Sequence, residues 1–235
     1  MWIAVGAGLF VLLIFGLIVN AVMSGRRRAA AIKEWAFRNG MSYTAGPVDP
    51  ASVAKIPQDE VPDNLIRREA SNVVSGSRDR YDVTVFDLNE TTGSRNTNTR
   101  TYTTKTIAIL KLPEPLPPFR FMTVVELKPG SLGANMVAAV ERLAIKIDGG
   151  KHGTVIEIPD YPSLLLLSKD PEAARALFTP TVIDYFAHHG GYGVTTEGTS
   201  MMVDRTQTRT TATIEQIETL ISDATAIAQQ FHQGF

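Results

Sequence analysis

The chain opens on an unbroken apolar run, MWIAVGAGLFVLLIFGLIVNAVM. From Trp2 to Met23 it holds no Asp, Glu, Lys or Arg, and Asn20 is its one strongly polar side chain. As a helix rising about 1.5 Å per residue, the run spans about 30 Å, the thickness of a bilayer's hydrocarbon core. Ser24-Gly25-Arg26-Arg27-Arg28 follows at once. A cleaved leader carries its positive charge before a shorter apolar run and a small-residue cleavage site after it. Here that order is reversed. The pattern therefore predicts a retained single-pass anchor in the plasma (inner) membrane. Positive flanks stay inside, so the N-terminus lies outside and everything from Arg26 onward is cytoplasmic.

After the arginines, AAAIKEWAFRNG places Ile32, Trp35 and Ala36 on one helical face and ends in the C-cap pair Asn39-Gly40. At helical rise, Trp35 lies too far beyond Met23 to belong to the headgroup layer, so it is read as core. Four prolines within 44–63 predict an irregular segment. Val73–Gly76, a polar turn at Ser77–Arg80 and Tyr81–Asp87 read as a hairpin with Tyr81, Val83 and Val85 on one face. ETTGSRNTNTR, from Glu90 to Arg100, reads as its exposed tip. Thr101–Leu112 returns as a strand that is apolar on both faces at Ile107–Leu110. PEPLPP at 113–118 predicts a turn or a stiff extended connector. Phe119–Leu127 alternates again.

The second half predicts a helix over 134–143 and strands over 144–148 and 153–158. A short buried strand follows at Leu164–Leu167. Asp170-Pro171-Glu172 and Thr179-Pro180 are helix starts, each with an N-cap side chain followed by proline. Gly190-Gly191 stops the second of these helices. Tyr192–Thr196 and Ser200–Asp204 read as a hairpin turning at Glu197-Gly198. Last, Thr213-x-x-Gln216 is a capping box opening a helix whose Ile214, Ile217, Leu220, Ile221, Ala224, Ala228 and Phe231 form one apolar stripe. The fold class expected is α+β: a transmembrane helix, then a cytosolic domain of mainly antiparallel sheet with packed helices. The boundaries are an anchor at 1–25 and two halves of one domain at 26–130 and 131–235.

Composition narrows the function classes. The formal charge is −1 and Arg26–Arg28 contribute +3, so residues 29–235 carry about −4. A mildly acidic domain has no electrostatic footprint for nucleic acid. The absence of cysteine excludes disulfides, thiolate catalysis and Cys-ligated metals.

No catalytic set emerges, and no cofactor is expected. Among the four histidines, only His188 has a carboxylate, Asp184, at helical spacing for a shared metal. That pair is the candidate site of an alternative reading, a membrane-tethered hydrolase or transferase. Gly190-Gly191-Tyr192-Gly193 runs helix to strand, the reverse of a phosphate loop. Gly6-Ala7-Gly8 follows no strand and lies in the apolar run. The remaining candidate contacts belong to the membrane: Ala4 and Gly8, small residues four apart on which another helix can close, and Arg26, Arg27 and Arg28 toward headgroups.

Trp35-x-x-x-x-Gly40-x-x-Tyr43 behind a basic cluster is followed by Val73-Val74-Ser75-Gly76 and Tyr81-x-Val83-x-Val85-Phe86-Asp87. A Ser/Thr-rich tip comes next, then the Leu112–Pro117 stretch. Over about residues 1–125 this resembles actinobacterial N-terminally anchored single-pass membrane proteins of unknown function. In layout and size the chain is also similar to the mycobacterial trehalose monomycolate transport factors. Those are anchored cytosolic domains working beside an RND-family lipid exporter. The resemblance implies a non-enzymatic accessory or scaffold protein of cell-envelope lipid transport or assembly. Its partners would be the lipid bilayer and an integral membrane complex, a lipid exporter among the candidates. The third reading, a lipid or small-ligand binding domain, requires an apolar pocket between sheet and helices.

Overall fold

The computed structural model describes residues 2–55, 64–93, 100–123, 153–158, 161, 163–205 and 211–232. Side chains are described for all of these except 2–18 and 21. The helix expected at 134–143, the strand at 144–148, the distal half of the 119–127 strand and the centre, 94–99, of the tip expected at 90–100 lie outside the described residues. The flanks of that tip, 90–93 and Arg100, are paired strand rather than loop, because the ladder continues through Thr92–Thr101 to Gly93–Arg100.

The apolar run and the AAAIKEWAFR segment form one continuous helix, α1 (Trp2–Arg38). Asn39-Gly40 ends it in a Schellman motif. Gly40 takes φ +68, its N–H donates to Phe37 O at 3.1 Å, and the Met41 N–H reaches Ala36 O at 2.9 Å. The membrane span expected over 2–23 falls mostly on side chains outside the described set. Among the described residues no helix is long and apolar enough to cross a membrane.

Eight strands form one antiparallel sheet: β1 (Ser42–Thr44), β2 (Leu65–Arg78), β3 (Tyr81–Gly93), β4 (Arg100–Leu116), β5 (Phe119–Thr123), β6 (Thr154–Ile156), β7 (Leu164–Ser168) and β8 (Tyr192–Arg205). Their order is β1-β2-β3-β4-β8-β5-β7-β6. With helices α2 (Pro50–Val53), α3 (Pro171–Leu177), α4 (Pro180–His188) and α5 (Ile214–His232), the class is α+β. The β2–β3 hairpin turns on Asp79 and Arg80, both at positive φ (47° and 69°), the backbone of a two-residue turn that matches strand twist.

Two elements differ from the sequence expectation. Tyr192–Arg205 is one strand rather than a hairpin. Its first half pairs with β5 (Gly193–Met122 to Thr195–Arg120) and its second with β4 (Gly198–Leu116 to Asp204–Ile107). Gly198, at φ +61, supplies a bend between partners, not a reversal. Pro113 and Pro115, expected in a turn or a stiff extended connector, are extended but lie inside β4. The register there jumps from Lys111–Ser200 to Leu116–Gly198, so the prolines occupy a bulge where no ladder donor is required.

The main core lies between one face of the sheet and α1, α3, α4 and α5. Val74, Val83, Val85, Ala108, Leu110 and Val203 meet Ile32, Trp35 and Ala36 from α1 and the α5 stripe from Ile217 to Phe231. Five phenylalanines fill its far end. Phe121 lies 4.2 Å from Phe186 and 5.5 Å from Phe178, while Phe119 and Phe178 each approach Phe231, at 5.3 and 5.6 Å. The opposite face carries a smaller cluster, including Phe86, Leu88, Ile107 and Ile109, partly covered by Val48, Val53 and Ala54.

The three helix starts form as the sequence dictates. Asp170 accepts from Ala173 N at 3.1 Å and Thr179 from Val182 N at 3.4 Å. Thr213 and Gln216 bond reciprocally, at 2.9 and 3.4 Å. Thr213→Ala is expected to cost about 1 kcal/mol, read as a shift in urea midpoint at unchanged slope. An unchanged midpoint would show the box to be idle.

Candidate functional site at the helix–sheet junction

Where α1 meets the sheet, one buried carboxylate collects most of the polar groups nearby. Asp87 is 2% exposed, on the α1 side of β3, in the same alternation that buries Tyr81, Val83 and Val85. A carboxylate stripped of water there is tolerable only if it is paired and fully hydrogen-bonded. Arg28 supplies the pairing in a bidentate fork, Nη1 to Oδ2 at 2.5 Å and Nη2 to Oδ1 at 3.0 Å. Asn72 Nδ2 donates to Oδ2 at 2.8 Å and Thr106 Oγ1 to Oδ1 at 2.7 Å. Both oxygens are thereby satisfied twice.

The network extends outward on both sides. Arg28 also donates through Nε and Nη2 to Ala212 O, at 3.1 and 2.8 Å, and the Ala212 N–H donates to Thr106 Oγ1 at 2.8 Å. One guanidinium thus ties α1 to β3 and to the segment that leads into α5. Asn72 occupies a bulge in β2 between Ser71 and Val74, at φ 51, a left-handed conformation that Asn tolerates. Its side-chain oxygen accepts from Tyr43 Oη at 2.9 Å. Burial, and then the Asp87 charge, raise the Tyr43 pKa, keeping that hydroxyl protonated as a donor. A second tie follows two turns along α1, where Trp35 Nε1 donates to Glu218 Oε1 on α5 at 2.7 Å.

The sequence candidates fall in separate places. Arg26 and Arg27 are exposed, whereas Arg28 turns inward and is consumed by the junction. The side chains of Ala4 and Gly8 lie outside the described residues. Asp184 and His188 are both exposed on α4, 3.4 Å apart, and the His188 ring also meets the Asp184 backbone oxygen at 2.8 Å. His189 does the same to Tyr185 O at 3.0 Å, so both rings engage carbonyls at the helix end. Among the described residues no group of three or more His, Cys, Asp or Glu side chains is placed to hold a metal. A cleft of about 300 Å³ opens on the sheet face away from α1 and α5. It is lined by Val53, Lys55, Thr84, Ile109, Lys111 and Ser200 among others, a mostly apolar wall with polar groups at intervals.

On the far side of α5, Tyr192 Oη donates to Asp223, and the Arg205 guanidinium lies 5.7 Å from the Tyr192 ring centroid. Burial, then the hydrogen bond to Asp223, push the Tyr192 hydroxyl up to about 12. Raised in the folded state, this group contributes stability that is complete below pH 10 and is lost as pH climbs toward 12. Tyr192→Phe is expected to flatten the fall in unfolding free energy between pH 9.5 and about 11.5. An unchanged alkaline slope would mean that Tyr192 titrates normally.

No family model matches the chain, and no curated protein matches it. Among solved structures it is similar to the crystal structure of the mycobacterial trehalose monomycolate transport factor A. The likeness covers 89% of this chain and 93% of that one, at 17% identity and a TM-score of 0.49. A likeness at that level describes shape and says nothing of activity.

Proposed function

We propose that this chain is a non-enzymatic, membrane-anchored accessory protein that binds a larger membrane complex in cell-envelope lipid transport or assembly. The observation that carries the reading is the junction. The apolar run and the Arg28 contact to Asp87 lie on one unbroken helix, about five residues or 7.5 Å apart if Met23 marks the bilayer edge. A tethered enzyme needs only a flexible leash, and a leash tolerates any orientation of its cargo. Here the anchor continues into the core through Ile32, Trp35 and Ala36 and is bonded to three segments of the domain. Such a helix holds the domain in one pose against the bilayer, which suits a subunit that presents a surface to a neighbour. The envelope-lipid pathway rests on the likeness in layout and size to the trehalose monomycolate transport factors, with the bulk of the chain cytoplasmic as the arginine cluster implies.

The test is affinity capture of the full chain from its native membrane in mild detergent, followed by mass spectrometry. An integral membrane lipid exporter or synthase is expected to co-purify and to be lost when residues 1–25 are replaced by an unrelated anchor. Recovery of the protein alone under conditions that keep other membrane complexes intact would overturn the reading.

A further inference from the structure

We infer that the far end of the β2–β3–β4 ribbon is a second membrane contact, resting on the bilayer surface beside the anchor. The inference depends on the anchoring proposed above, and it starts from the direction in which α1 leaves the sheet. At the helix's C-terminal end, Met41 packs against Gly76 of β2; about three turns earlier, Arg28 sits at Asp87, whose strand partner is Ser71. Going backward along α1 therefore means going backward along β2, toward Leu65. The paired strands extend the same way. β3 runs on from Asp87 to Gly93, and β4 begins at Arg100 opposite it. Six residues of strand reach about 20 Å past Asp87, while Met23 lies about 7.5 Å past Arg28. Even if ribbon and helix diverge by about 45°, the ribbon advances about 14 Å, enough to meet the headgroup layer.

The side chains at that end suit a wet lipid surface. Tyr102 is 74% exposed on the face that carries α1, sharing its strand parity with Thr106, Ala108 and Leu110. Ile66 is 53% exposed at a bulge between the Leu65–Thr92 and Arg67–Thr91 pairs. Large apolar side chains left in water at the end of a three-stranded ribbon are costly there, whereas a tyrosine ring at a headgroup boundary keeps its hydroxyl wet and its ring dry. Arg67 and Arg68 there are balanced by Glu69 and Glu90, at 2.5 and 2.9 Å, and among the described residues exposed Arg100 is left over. With Arg26 and Arg27 on α1, Arg100 presents positive charge to an anionic leaflet.

The natural absence of cysteine makes the test direct. Single-cysteine variants of the full chain, Ile66→Cys, Tyr102→Cys, Arg78→Cys at the opposite end of the hairpin and Leu12→Cys in the apolar run, would carry an environment-sensitive fluorophore. Each would be reconstituted in phosphatidylcholine–phosphatidylglycerol nanodiscs. Nitroxide on the lipid headgroup is expected to quench positions 66 and 102 several-fold more than position 78, while acyl-chain nitroxide quenches position 12. Equal, weak quenching at 66, 102 and 78 with strong quenching at 12 would overturn this inference and leave the anchor standing. Absence of quenching at 12 would remove the anchor, and this inference with it.

Discussion

Asp87→Ala is expected to lower the stability of the folded chain by about 3 kcal/mol, the low end of the range for breaking a buried ion pair, because the Arg28 side chain keeps 23% of its exposure. The loss has little to do with the pair's own attraction. Removing the carboxylate leaves a partly buried guanidinium, the Asn72 amide and the Thr106 hydroxyl without their common acceptor, each now paying for lost water. Replacing both members with apolar groups, Arg28→Met with Asp87→Leu, is therefore expected to recover much of the deficit. Urea unfolding of Asp87→Ala, and of the parent, the two single variants and the double variant of that cycle, measures both effects. An Asp87→Ala variant within about 0.5 kcal/mol of the parent, the range of an ordinary surface substitution, would mean the junction does not hold α1 to the sheet.

Phe121→Ala is expected to cost about 3–5 kcal/mol, the range for emptying a large aromatic site in a close-packed core. Phe121 is fully buried and touches both Phe178, at the end of α3, and Phe186 on α4. The hole would thus open where β5, α3, α4 and α5 converge. Because this site is remote from Arg28, its effect is expected to add to that of Asp87→Ala within about 0.5 kcal/mol. A marked departure from additivity would show that the aromatic end and the junction unfold as one coupled network.

The two substitutions probe parts of the molecule that were unequally visible in the sequence. Local signals read well. The caps at Asp170, Thr179 and Thr213, the Asn39-Gly40 stop and the α5 stripe all form as written, because each rests on neighbours within a turn of helix. Long-range pairing did not. Nothing local distinguishes a glycine that reverses a hairpin from one that bends a strand between β5 and β4, so Gly198 was misread. The choice between turn and extended segment at the prolines of β4 is open for the same reason, since whether a position must donate depends on a partner more than 80 residues away. The junction was half legible. The alternation that buries Tyr81, Val83 and Val85 continues to Asp87, and a carboxylate on a buried parity asks for a cation. In the sequence Arg28 is indistinguishable from the two arginines before it, and only the fold separates it from Arg26 and Arg27.

The central claim is that α1 crosses a bilayer and carries a cytoplasmic domain fixed to its inner end. Labelling with a membrane-impermeant maleimide tests it most directly, using one cysteine added ahead of Met1 on a short polar extension and another placed at Glu172 of α3, each in spheroplasts of the native host. The N-terminal cysteine is predicted to react in intact spheroplasts, and position 172 only after the membrane is permeabilised. Reaction at 172 in intact spheroplasts, or protection of the N-terminal cysteine until permeabilisation, would contradict the account.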